Sequence, residues 1–209
     1  MLSTTSDETP EPGSGTDRPE GENHYLAPTV VESVKVLVVG SFGVGKTTLI
    51  GSVSEIDPLR TEESITQASE GIDSLEATPE KTTTTVAMDF GRITLTEEIA
   101  LYLFGTPGQR RFWDLWAGLA EGAAGALVLV DTRRLADSFE VLDQLETRTS
   151  LPFVVAINQF PDAPNYEPDQ IRKALDLEAE TPIVVCNAKN RNACARALAA
   201  LVRHALNTR

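Results

Sequence analysis

Short apolar runs alternate with polar and turn-rich stretches along this chain. The run Val34-Lys35-Val36-Leu37-Val38-Val39 is rich in β-branched residues and stops at Gly40, which predicts a buried strand. Runs of the same kind predict further strands at about 86–95, 99–104, 126–130, 153–157 and 183–186. Between them, helical patterns occupy about 46–54, 110–120, 136–148, 168–175 and 192–206. Strand and helix alternate, so the pattern predicts a doubly wound α/β sheet with helices on both faces. Most of the runs are nearly continuous in apolar residues, as parallel strands covered on both faces require. Only the polar residues 96–98 separate two of them, which predicts an antiparallel hairpin and hence a mixed, mostly parallel six-stranded sheet.

Two stretches fall outside this pattern. Residues 1–31 mix Ser, Thr, Pro, Gly and acidic side chains with little apolar content, and are expected to form a disordered acidic tail ahead of one domain at 32–209. Residues 55–84 are polar and turn-rich, and predict an extended loop, a feature that compact domains reserve for function or disorder. In the helical pattern after residue 110, Phe112, Leu115, Trp116 and Leu119 share one face and predict packing on the sheet, while Trp113 falls off that stripe.

The formal net charge of −13 argues against a nucleic-acid binder, which needs a cationic footprint to displace counterions. No apolar run reaches the ~18 residues of a membrane span, and no signal-peptide core opens the chain. With only Cys186 and Cys194 present, a disulfide framework is not indicated. These features predict a cytoplasmic protein that reaches a membrane, if at all, through partners.

The strongest chemical signal follows the first strand. Gly40-Ser41-Phe42-Gly43-Val44-Gly45-Lys46-Thr47 matches G-x-x-x-x-G-K-[ST] between a predicted strand and a predicted helix, the context a P-loop needs. Its glycines let successive amides, continuing to Thr48, wrap phosphate oxygens at a helix N-terminus. Lys46 is expected to neutralise the β and γ phosphates, and the Thr47 hydroxyl to ligate Mg2+.

Further along, Thr106-Pro107-Gly108-Gln109 resembles the Asp-Thr-Ala-Gly-Gln segment that opens switch II in small GTPases. The resemblance implies that the Gly108 amide meets the γ-phosphate and that Gln109 is catalytic, orienting the attacking water. Thr85-Val86-Ala87-Met88-Asp89-Phe90 resembles the switch I Thr and following strand of Rab-type proteins, implying Thr85 as the second hydroxyl ligand of Mg2+, with Thr84 as the alternative. Asn158-Gln159-Phe160-Pro161-Asp162 resembles the N-K-x-D base loop with its carboxylate one position late, and Asn187-Ala188-Lys189 resembles the S-A-K loop. Asn158, Gln159, Asp162, Asn187, Ala188 and Lys189 are the implied base-binding residues.

Across residues 34–206 the chain is similar to the MglA-related small GTPases of bacterial conservon operons, which implies a small GTPase G domain with 55–84 as switch I. The resemblance also implies a Roadblock/LC7-type regulatory protein and a sensor-kinase-like protein as partners. A further departure stands out. Gly105 occupies the place of the magnesium-associated Asp of most small GTPases, and Asp131, an acid ending another apolar run, reads as a turn or capping residue rather than its substitute. No Arg is placed by motif as a catalytic finger, and Arg60, Arg110 and Arg111 are the candidates. Two functions follow: a switch that hydrolyses GTP to GDP and phosphate, or a nucleotide-binding adaptor with negligible turnover. An ATPase or small-molecule kinase is a third, weaker reading, since no substrate-binding insertion follows the P-loop.

Overall fold

A computed structural model describes residues 26, 29–57, 59–66, 83–108, 113–161 and 163–208, with the backbone alone for 59–66 and 83–87. The tail expected at 1–31 lies almost wholly outside these residues.

Seven strands form one sheet: β1 (Glu32–Val39), β2 (Leu59–Thr66), β3 (Thr83–Thr94), β4 (Ile99–Gly105), β5 (Ala123–Val130), β6 (Phe153–Asn158) and β7 (Ile183–Cys186). Their spatial order is β2-β3-β4-β1-β5-β6-β7. Helices α1 (Lys46–Val53), α2 (Leu115–Ala120), α3 (Asp137–Arg148), α4 (Pro168–Ala174) and α5 (Arg191–Asn207) complete the fold. The doubly wound mixed sheet is the expected one: β1 pairs parallel with β4 and β5, β5 with β6, and β6 with β7. β3 and β4 form the expected antiparallel hairpin.

The stretch expected as a single loop at 55–84 is corrected in part. Residues Leu59–Thr66 form an edge strand antiparallel to β3, with Leu59 opposite Phe90 and Thr66 opposite Thr83. The segment lacks an apolar alternation because an edge strand takes its order from backbone bonds to one neighbour, and charged residues such as Glu62 and Glu63 suit an open edge.

Alternation along the central strands sorts the core into two layers. Val36, Val38, Leu127 and Leu129 face α1 and α5, joining Leu49, Ile50, Leu198 and Leu201. Leu37, Val39, Val128 and Val130 face the opposite layer, with Trp116, Val141, Leu145 and Ile171 from α2, α3 and α4. The spacing of Ala193, Cys194, Ala197, Leu198, Leu201 and Ala205 makes the buried stripe of α5, and the Asn190 side chain caps that helix by accepting from the Ala193 amide. Strand order reverses at β1, whose neighbours β4 and β5 lie on opposite sides, and a crevice at the carboxyl ends of the strands is the ligand position of such sheets. Among the described residues, no helix is long and apolar enough to cross a membrane.

Candidate functional site: a phosphate loop with a carboxylate from the neighbouring strand

The loop from β1 to α1 closes around its own lysine. Lys46 Nζ donates to the carbonyls of Gly40 at 2.7 Å and Ser41 at 2.9 Å, which curls the loop back over the helix start. Gly45, the residue before the helix, holds φ at +108°, a region natural to glycine, and a Cβ there would stand 2.6 Å from Asn158 Nδ2. No side chain caps α1, so its first-turn amides at Lys46, Thr47 and Thr48 keep no acceptor within the helix and remain available to an anion. Burial holds the Lys46 ammonium down at about 8, with the charge of Asp89 acting in the other direction.

Across from the loop, β4 ends at Gly105 and runs into Thr106-Pro107-Gly108. Thr106 is tied to β1 through its amide, 3.0 Å from the Val38 carbonyl. Trp116 Nε1 donates to the Pro107 carbonyl at 3.3 Å, so the core tryptophan of α2 holds this segment from below. Trp116 is buried as expected, and Trp113 packs beside it with ring centroids 6.0 Å apart rather than standing free. A Cβ on Gly108 would lie 2.8 Å from both Lys46 Nζ and the Phe42 amide nitrogen, so only glycine allows this approach to the phosphate loop.

Asp89 is the site residue that sequence reasoning overlooked. The Thr47 hydroxyl donates to its Oδ2 at 2.6 Å. Asp89 pairs with Gly105 across the β3–β4 hairpin, and a Cβ on Gly105 would stand 3.1 Å from that of Asp89. A carboxylate from β3 thus stands beside the end of β4, in space that Gly105 leaves open. A signal existed: the acid at position 89 interrupts the apolar stretch Val86-Ala87-Met88-Asp89-Phe90, and a charge in such a place is retained for a partner. The pair of hard oxygens, Thr47 Oγ1 and Asp89, fits a magnesium ion, which needs few protein ligands because phosphate and water complete its shell.

The base loops meet at Asn158. This residue, 2% exposed, donates from Nδ2 to the Val44 carbonyl at 2.8 Å and accepts from the Ala188 amide at 2.9 Å. One side chain therefore joins the phosphate loop to both loops expected to hold the base. Asn187 accepts from the Lys189 amide at 2.9 Å, and the buried thiol of Cys194 reaches the Asn187 carbonyl at 3.3 Å, anchoring that loop to α5. Gln159 and Lys189 are exposed. Both cysteines are free and buried, and burial pushes the Cys186 thiol up to about 12. Asp131 is the capping residue expected of it: its side chain accepts from the Arg133 amide at the head of a single 3-10 turn, Thr132–Arg134.

Gln109, Arg110, Arg111 and Asp162 lie outside the described residues. Thr85 lies in the backbone of β3 opposite Ser64, four positions before Asp89 and so roughly 13 Å along the strand.

This fold and site define a P-loop nucleotide-binding protein of the G-domain type. The family described as conserved hypothetical ATP binding protein matches residues 38–208, and the chain belongs to that family. It is 31% identical over 130 residues to the uncharacterized protein MJ1339 of Methanocaldococcus jannaschii, covering 61% of this chain and 71% of that one. Among solved structures, the G domain of the T. maritima FeoB iron transporter matches with a TM-score of 0.60 at 16% identity, over 83% of this chain and 99% of that chain. The cytosolic domain of the same transporter, in a GDP form, gives 0.59 at 17% identity over 83% and 64%. At such identities the shared property is the fold.

Proposed function

We propose that the protein is a nucleotide-dependent molecular switch that hydrolyses GTP to GDP and phosphate. The observation that carries this reading is the convergence of Lys46, the open amides of α1, the Thr47–Asp89 pair and Gly108 on one crevice. Lys46 would exchange its bonds to the Gly40 and Ser41 carbonyls for phosphate oxygens. Thr47 and Asp89 would hold Mg2+, which supplies charge neutralisation to the phosphates when bound. Gln109 would align the attacking water in line with the leaving oxygen, and the Gly108 amide would report the γ-phosphate. Thr85, as switch I ligand, would have to leave its paired position in β3, so nucleotide binding and the order of the β2–β3 edge would be linked.

A second reading has a specific basis. Pro161 stands where N-K-x-D has its guanine-pairing carboxylate, and the family's description refers to ATP binding. An ATP-hydrolysing switch using the same phosphate machinery is therefore the alternative, and an adaptor with negligible turnover is the outcome if neither nucleotide is cleaved. The Roadblock/LC7-type and sensor-kinase-like partners, and the cytoplasmic setting with recruitment through them, belong to the resemblance to MglA-related GTPases.

The test is titration with fluorescent GDP, GTP, ADP and ATP analogues in magnesium and in EDTA, followed by phosphate release for the parent chain and Gln109→Leu. Guanine-selective, magnesium-dependent binding with turnover lost in the variant supports the GTP switch. Adenine selectivity moves the reading to ATP, and absence of turnover with any partner leaves the adaptor.

A further inference from the structure

The turn that leaves β5 touches two loops of the nucleotide site at once. Asp131 is 1% exposed at its head and grips Arg133 three times: from the backbone amide at 3.0 Å, from Nε at 2.9 Å to Oδ1, and from Nη2 at 2.7 Å to Oδ2. The two guanidinium bonds fix the plane of that group as a flexible ammonium could not. Its Cζ lies 3.8 Å from the centre of the Phe160 ring, in the loop between Asn158 and the position-161 proline. Thr132 donates to the Pro164 carbonyl at 2.8 Å, holding the far side of the same loop. In the other direction Arg134 Nη2 donates to the Phe42 carbonyl of the phosphate loop at 3.0 Å, while Nε and Nη1 lie 3.7 and 3.6 Å from Asp131 and Asp137.

A carboxylate this buried is stable only when fully partnered, so Asp131 holds Arg133 in place through three bonds and draws Arg134 to the same turn. Asn158 anchors the start of the base loop through its bonds to Val44 and Ala188. Among the loop's described residues, the backbone ties are the Gln159 amide to the Cys186 carbonyl at 2.8 Å and the Ala163 amide to the Phe160 carbonyl at 3.3 Å.

We propose that Asp131, Thr132, Arg133 and Arg134 form a positioning brace for the nucleotide site: Arg133, through Phe160, sets the loop that receives the base, and Arg134, through Phe42, sets the loop that receives the phosphates. The inference rests on the nucleotide-binding reading above and adds a division of labour to it. Arg133 governs affinity for the nucleoside half of the ligand, and Arg134 for the phosphate half. Neither residue touches the ligand in this role.

The experiment uses the full chain and competition of GDP, ADP and inorganic pyrophosphate against a fluorescent purine diphosphate. Arg133→Ala and Phe160→Leu are each expected to weaken the purine diphosphates about tenfold while leaving pyrophosphate within about twofold, as loss of one cation–π contact with its ordering effect implies. The double variant is expected to be no weaker than either single, because both remove the same contact. Arg133→Lys is expected not to restore binding, since lysine cannot span both carboxylate oxygens and lie flat on the ring. Arg134→Ala is expected to weaken pyrophosphate and nucleotides by one common factor. Equal losses for pyrophosphate and nucleotide in Arg133→Ala, or no loss in either, overturn the brace. If Arg133→Ala does not fold, Phe160→Leu, which leaves the Asp131–Arg133 pair intact, decides by the same ratio. A folded parent chain that binds pyrophosphate but no nucleotide overturns the nucleotide reading itself, and the brace with it.

Discussion

The Thr47 hydroxyl and Asp89 Oδ2 meet at 2.6 Å across 42 positions of sequence, the first on α1 and the second on β3. The antiparallel register that sets Asp89 opposite Gly105 brings the carboxylate to the phosphate loop. If this pair holds magnesium, Asp89→Asn removes the charge and keeps the size. Nucleotide binding in magnesium is then expected to weaken about 10–100-fold, the usual cost of losing a supporting carboxylate, while binding in EDTA changes little. Equal affinity of parent and variant in magnesium would remove Asp89 from the site.

Gly105 and Asp89 should be exchangeable only together. A Cβ at 105 would press on Asp89 Cβ and Ile50 Cδ1, both at 3.1 Å, so Gly105→Ala is expected to lose about 1–3 kcal/mol of stability by overpacking. Gly105→Asp alone adds like-charge repulsion, and Asp89→Gly in the same chain is expected to restore both stability and magnesium-dependent binding. Urea denaturation and nucleotide titration of the three variants check this.

Lys46 makes binding sensitive to alkaline pH. In the folded, ligand-free chain burial lowers its pKa from 10.5 to about 8, so between those values the unfolded chain binds more protons and stability rises with pH. Phosphate does the opposite, favouring the charged ammonium in the bound state. Affinity is therefore expected to fall as pH rises through about 8, by up to about tenfold per unit, with proton uptake on binding. Calorimetry near pH 9 in buffers of different ionisation enthalpy measures that uptake, and none would show that Lys46 keeps its proton throughout.

Asn158 joins three loops with one side chain. In Asn158→Ala the Val44 carbonyl and Ala188 amide lose their partners in a buried position, which is expected to cost roughly 2–4 kcal/mol even without ligand. A variant as stable as the parent would mean that water replaces both bonds.

Much of this molecule was legible because the signals are local. Among the described residues, apolar runs marked six of the seven strands and helical spacing marked all five α-helices, and the phosphate loop is a contiguous motif whose strand and helix context could be read beside it. Where the sequence signal failed, the cause was pairing. Leu59–Thr66 becomes a strand through β3 rather than through its own apolar pattern. Asp89 reaches Thr47 only because the β3–β4 register sets it against Gly105, and Arg133 and Arg134 reach separate loops only because β5 ends between those loops. The sequence by itself determined the order of elements and the phosphate chemistry, since periodicity and glycine placement act over a few residues. The tertiary structure decided which acid stands beside Thr47 and what braces the base loop, since those contacts depend on strand register and on the close approach of chain segments far apart in sequence.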